Sequence, residues 1–141
     1  MKLIQSFFII LSAIIFYHCK NEQTAATKIP NYLPDSLIDK KGVFLYPTVI
    51  DMGKLERGVP VRSKTILVNH SDQEINLMDP STTCGCTAVL KNKNKVAQGD
   101  TAQFWITYDA KIPGIFSKNA YINYEAQPTV LEVEIKGHVK F

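Results

Sequence analysis

The chain is poor in the groups that carry chemistry. Its 141 residues include only 3 cysteines, 3 histidines and 1 tryptophan. There is no Cys-x-x-Cys, no nucleophile set beside a base, no glycine-rich phosphate loop and no paired-carboxylate motif, so no reaction class is written in it. With 16 Lys and Arg against 13 Asp and Glu, the formal net charge is +3. That balance speaks to solubility and is not the footprint of a nucleic-acid binder. Beyond the N-terminus no window has a helical period. The antibody-type Cys…Trp…Cys spacing is also missing, so any immunoglobulin-like core here must close without a disulfide between its sheets.

What is present begins with a leader. Lys2 is followed by an apolar stretch over 3–17 interrupted only by Gln5, Ser6 and Ser12. At about 15 residues it is shorter than the ~20 needed to span a bilayer as a helix. A basic residue and a short apolar core fit an export signal, which would place the rest of the chain where disulfides persist. The stretch ends at Cys19, the position at which bacterial lipoprotein signals carry their acylated cysteine. His18 and Tyr17 stand where small residues are usual, so a plainly cleaved signal and an uncleaved anchor are the rival readings. Residues 1–19 are read as a lipoprotein signal with Cys19 lipidated, and 20–42 as a polar tether with Pro30 and Pro34. Within the tether, Asp35-Ser36-Leu37 could open one helical turn and also resembles a short acceptor motif for bacterial O-glycosylation.

Residues 43–141, about 100 in all, suffice for one domain with one core. Strand signals fill them. Val43-Phe44-Leu45-Tyr46 opens the set, and 48–52 follows Pro47. Gly53 and Gly58 are expected to bracket a turn. Thr65-Ile66-Leu67-Val68 reads as a strand covered on both faces. Ile75 and Leu77 alternate with Asn76, and 87–90 forms a further strand. Ala102, Phe104, Ile106 and Tyr108 share one face, as do Ala120, Ile122 and Tyr124. Leu131, Val133 and Ile135 alternate with Glu132 and Glu134 before Gly137, which ends or bends the last strand. About seven to nine short strands with close turn signals predict an all-β, antiparallel sandwich of immunoglobulin-like type.

Three features stand out from this background. Cys84-Gly85-Cys86-Thr87 places two thiols two residues apart, on one side if the backbone is extended. Gly85 would permit a tight backbone there. Four roles are open: a local disulfide or dithiol with redox activity, soft-metal binding, a disulfide to another protein, or a structural pair of small side chains. His70 and His138 are the only imidazoles left for a metal, and nothing in the sequence brings them to the cysteines. Trp105 breaks the alternation of its strand, either as part of a partly covered face or as an exposed anchor for a partner. The basic run Lys91-Asn92-Lys93-Asn94-Lys95 reads as a solvated hairpin tip, the lesser reading being contact with an anionic surface.

Several of these residues also resemble a known pattern. Asn69, Ile75-x-Leu77, Cys84-Gly85-Cys86-Thr87, Gly99-Asp100, Tyr108-Asp109, Gly114-x-Phe116-x-Lys118 and Ile135-x-Gly137-x-Val139 together resemble the bacterial domain-of-unknown-function family 1573 over nearly all of 43–141. Met52-Gly53 departs from the family's Phe-Gly, Gln98 and Ala88-Val89 lack its prolines, and Pro80 takes an aliphatic position. The resemblance implies an immunoglobulin-type sandwich similar to domains of the Hydin and major-sperm-protein group, in a protein that is exported and often lipid-anchored. It implies no reaction. The expectation is therefore a module of the bacterial cell envelope, in the periplasm or on the outer membrane. It would be held to the membrane by its lipid and bind a protein partner, with neither cofactor nor nucleic acid. Its rivals are thiol-redox or copper handling at Cys84 and Cys86, and envelope scaffolding through pairing of sheet edges.

Overall fold

The alternating runs assemble into two facing sheets. The computed structural model describes residues 33–125 and 130–141. A single helical turn, α1 (Asp35–Ile38), leads into β1 (Gly42–Tyr46), β2 (Val49–Leu55), β3 (Val61–His70), β4 (Ile75–Asn76) and β5 (Ser81–Thr82). Then come β6 (Thr87–Lys91), β7 (Lys95–Val96), β8 (Thr101–Tyr108), β9 (Gly114–Ile122) and β10 (Leu131–Val139). Sheet one has the order β1-β3-β8-β6 and sheet two the order β2-β10-β9-β5, while β4 and β7 form a small ribbon. All pairings between strands are antiparallel except β10 with β2.

The core follows from the period of two along each strand. β8 alternates without a fault, burying Ala102, Phe104, Ile106 and Tyr108. Across from it, β9 and β10 contribute Phe116, Ala120, Ile122, Val133, Ile135 and Val139 to the same cluster. Tyr124, the third residue of its expected face, is half-buried and packs against this core.

β3 is covered on both sides, and the cover on its outer side comes from upstream. Ile66 and Val68 join Phe44 and Leu33 in a second cluster, with Leu37 and Tyr46 packed against it. Pro34 precedes α1 with an extended backbone and gives no side-chain cap, while Asp35 supplies a carboxylate in the first turn, which the helix start favours. That turn brings Leu33 and Leu37 onto one side. Burying a leucine contributes about 2 kcal/mol, enough to hold this segment on the sheet. Ordered structure thus reaches into the stretch read as tether, at least as far as Leu33.

The two glycines expected to bracket a turn do different things. Gly58 sits in the turn between β2 and β3, with φ +75°. Gly53 lies inside β2, with φ +70°, where the register against β10 shifts between Lys136 and His138. Asp51 pairs with Lys136 and Lys54 with His138, so β2 carries one extra residue opposite Gly137. This is a β-bulge, and the Gly53 N–H is held by Asp51 Oδ1 at 2.8 Å.

Candidate functional site

The Cys-Gly-Cys element is a turn, not the extended strand considered for it. It carries the chain from β5, on the rim of sheet two, to β6, on the rim of sheet one. Cys84 and Cys86 are joined as a disulfide, with Cα atoms 5.2 Å apart. The turn folds the two Cα atoms toward each other, which an extended backbone would not do. Gly85 does not have positive φ, and a Cβ added there would meet nothing within 4 Å. Neither strain nor crowding therefore requires glycine at this position.

Three threonines and one aspartate hold the turn. Thr82 Oγ1 donates to the carbonyls of Cys84 (2.9 Å) and Thr87 (3.2 Å). The Thr87 N–H closes back on the Cys84 carbonyl at 3.4 Å, and the Asp109 N–H donates to the Cys86 carbonyl at 3.0 Å. Thr83 anchors the other flank: its N–H donates to the Asn119 carbonyl at 3.1 Å, and its Oγ1 accepts from the Asn119 N–H at 3.3 Å. Thr87 itself is buried, and its hydroxyl lies 3.6 Å from Cys84 Sγ and 3.8 Å from Cys86 Sγ. Both cysteines are partly buried residues, with Cys86 packed against the core cluster.

These bonds bear on what the disulfide is for. Cross-linking a loop of about three residues removes little chain entropy, on the order of 1.5 kcal/mol against about 3 for a 15-residue loop. The hydrogen bonds already fix the turn, and the sulfurs tie no distant elements together. Structural reinforcement is thus a weak use for this bond.

Beside the turn, a stretch of strand edge is open among the described residues. β5 pairs with β9 only at Ser81↔Tyr121 and Thr82↔Ala120, and Thr83 adds the two bonds to Asn119. Residues two apart in a strand present their peptide groups to the same edge. Ser117 and Ile115 therefore turn their N–H and C=O groups to the edge that Asn119 uses, past the point where the chain leaves β9 for the disulfide turn. Ile115 is 91% exposed.

Tyr108 stands opposite Thr87 across β6 and β8 and stacks on Phe116, with ring centroids 4.1 Å apart. Burial first, and the Asp109 carboxylate second, push its phenol above its ordinary value of 10.0. Trp105 lies on the outer face of sheet one, in register with Lys64 on β3 and Leu90 on β6. It is half-buried, the Arg62 guanidinium lies 6.0 Å from its ring centroid, and Leu90 beside it is 58% exposed.

The remaining candidates separate. The His70 ring lies 3.1 Å from the Lys40 carbonyl and meets Phe44 edge-on, whereas His138 stands beside Phe141. Among the described residues no three His, Cys, Asp or Glu side chains converge. An open hollow of about 300 Å³ on sheet two, with Asp51, Lys54, Lys136 and His138 around Gly53 and Gly137, gathers residues from β2, β9 and β10. Cys19 lies outside the described residues.

The basic run is not a hairpin tip. It links β6, which pairs with β8, to β7, which pairs with β4. Each of its lysines has an acidic partner: Lys91 with Asp79 at 2.9 Å, Lys95 with Glu74 at 3.5 Å, and Lys93 with Asp100. Lys91 is the structural member. Its side chain is 14% exposed, and its ammonium also donates to the Leu77 (3.0 Å) and Met78 (3.1 Å) carbonyls. Lys91→Met is expected to cost about 1–2 kcal/mol in urea unfolding, because both carbonyls lose their donor. Asp79→Asn should change stability by less than about 0.5 kcal/mol, since its side chain is 96% exposed. Equal effects would show that the ion pair, not the carbonyl contacts, is what matters.

Comparison with known proteins fits this geometry. A family model described as "Protein of unknown function (DUF1573)" matches residues 45–139. A search of curated proteins finds no match. Among solved structures, a Porphyromonas gingivalis W83 protein of unknown function is similar at a TM-score of 0.61 and 16% identity, over 69% of this chain and 46% of that one. The chain thus spans under half the length of that protein. The ASH/PapD-like domain 7 of human CEP192 is similar at 0.52 and 12% identity, over 84% of this chain and 97% of the domain. WR4, a Caenorhabditis elegans MSP family member, is similar at 0.50 and 12%, over 71% and 99%. These likenesses show the fold: an all-β sandwich of immunoglobulin-like, PapD- and MSP-like type.

Proposed function

Because the chain belongs to the DUF1573 family, whose description names no reaction, we propose that it is an exported, lipid-anchored immunoglobulin-like module that binds a protein partner. The leader over 3–17 and Cys19 at its end support export and anchoring. With two acyl chains or more at Cys19, membrane attachment would be stable, since each buried methylene adds about 0.8 kcal/mol. The tether would then hold the sandwich clear of the membrane surface.

The observation that carries the binding role is the open β9 edge at Ile115 and Ser117. Such an edge accepts an extended segment through main-chain hydrogen bonds, with alternate side chains giving selectivity. Envelope scaffolding by edge pairing is the same chemistry with a repeating partner.

Two substitutions test this reading. Cys19→Ser should release the protein from the membrane fraction and abolish acyl labelling; unchanged retention and labelling would refute the anchor. Ser117→Pro removes an N–H that no strand among the described residues uses, so the domain should stay folded. A photocrosslinker at Ile115 should then lose, in intact cells, the protein adduct it gives in the parent chain. An adduct that survives Ser117→Pro would exclude edge pairing as the mode of binding.

A further inference from the structure

We infer that the Cys84–Cys86 disulfide is an exchange site: it accepts two electrons from a protein dithiol, and the Thr87 hydroxyl stabilises the thiolate that forms. The inference stands apart from both the lipid anchor and edge binding. It rests on three observations about the turn. The bond ties together no distant elements, and the turn around it is held by Thr82, Thr87 and Asp109 through atoms other than sulfur. The disulfide can therefore open without unfolding the sandwich. Both cysteines are partly exposed residues, and Gly85 between them is exposed, with room for a Cβ that it does not carry. A thiolate attacks Cys84 Sγ in line with the S–S bond, from the side away from Cys86, and Gly85 adds no side chain to crowd the turn. A single hydroxyl, on the buried Thr87, lies 3.6 and 3.8 Å from the two sulfurs, within hydrogen-bond reach of either.

The step balances as thiol–disulfide exchange. A partner thiolate attacks Cys84 Sγ, the sulfur that does not pack on the core. The Cys84–Cys86 bond breaks as a mixed disulfide forms, and Cys86 leaves as a thiolate that accepts a hydrogen bond from Thr87 Oγ1. The partner's second thiol, as its thiolate, then attacks its own sulfur in the mixed disulfide. The partner departs oxidised, and the two protons from its dithiol end on Cys84 and Cys86. The leaving group's stability sets the rate of the first step, which is where Thr87 acts.

The experiment uses the full chain, purified in detergent, with dithiothreitol as the dithiol. Thiols are counted by alkylation and intact mass, and the fold is followed by far-UV circular dichroism. Both cysteines should become alkylatable while the spectrum stays native. Thr87→Val should slow that reduction about tenfold, the effect of one hydrogen bond to a charged group, and Thr87→Ser should restore it. With glutathione disulfide, Cys86→Ser, which leaves Cys84 free, should form its mixed disulfide about tenfold faster than Cys84→Ser, following access to the sulfur. Reduction only after the spectrum is lost would overturn the proposal, as would a folded Thr87→Val variant reduced at the parent rate. Equal rates for the two single-cysteine variants would overturn the assignment of Cys84 as the attacked sulfur.

Discussion

Asn69→Ala is expected to lower stability by about 3–4 kcal/mol, read as a shift in the urea midpoint with little change in slope. Asn69 is the last residue but one of β3 and is fully buried. Its Nδ2 amide donates to the carbonyls of Gln73 (2.9 Å), Val96 (2.9 Å) and Ala97 (3.1 Å). Its Oδ1 accepts from the Ser71 N–H (3.1 Å) and the Ser71 hydroxyl (2.5 Å). Its main chain adds bonds to Asp100 and Gly99. One side chain therefore satisfies the turn after β3, the end of β7 and the approach to β8. Alanine removes the amide donor from all three carbonyls and the acceptor from Ser71, and each hydrogen bond lost costs about 0.5–1.5 kcal/mol. Asn69→Asp should do no better, because it keeps the acceptor for Ser71 but turns a carboxylate oxygen on three carbonyls. A loss under about 1 kcal/mol for Asn69→Ala would mean that water replaces the amide.

Gly137→Ala is expected to cost about 2–3 kcal/mol, while Gly85→Ala should cost less than about 0.5. At Gly137 a Cβ would stand 2.8 Å from the Gly53 carbonyl oxygen and 2.8 Å from the Phe116 ring. Neither neighbour can yield cheaply. The carbonyl belongs to the bulged backbone of β2, and the ring is stacked on Tyr108 at 4.1 Å. Added volume in a packed site forces side chains off their rotamers or moves the backbone. The glycine is thus required by close approach, not by its own dihedral angles. Thermal unfolding of the two variants side by side checks the contrast. Equal shifts would mean that the β2 bulge relaxes to make room.

Both positions were visible as residues, but their roles were not. Asn69 ended an apolar run and Gly137 interrupted one, which reads as a strand end and a bend. In the structure β10 continues through Gly137 to Val139, and the irregularity falls on the neighbouring strand at Gly53. The same holds for Lys91. Its place in a basic run suggested a solvated tip, whereas its ammonium reaches carbonyls on the chain leading from β4 to β5. Leu33 and Leu37 carried a usable signal, four residues apart on either side of Pro34, but the polar residues around them masked it.

The sequence by itself determined the longer strands and which side of each faces inward, but not the two-residue strands β5 and β7. Alternation such as that of β8 is local, with a period fixed by the pleat, so it survives without knowledge of any partner. Only the tertiary structure decided which strands pair, and every feature of the site depends on that. The disulfide turn is a crossing between two sheets because β5 lies beside β9 and β6 beside β8. The Thr87 hydroxyl meets both sulfurs because the turn bends them back over it. Among the described residues the β9 edge is open because β5 ends where that turn begins. Such facts rest on contacts between residues far apart in the chain, which no short window of sequence contains.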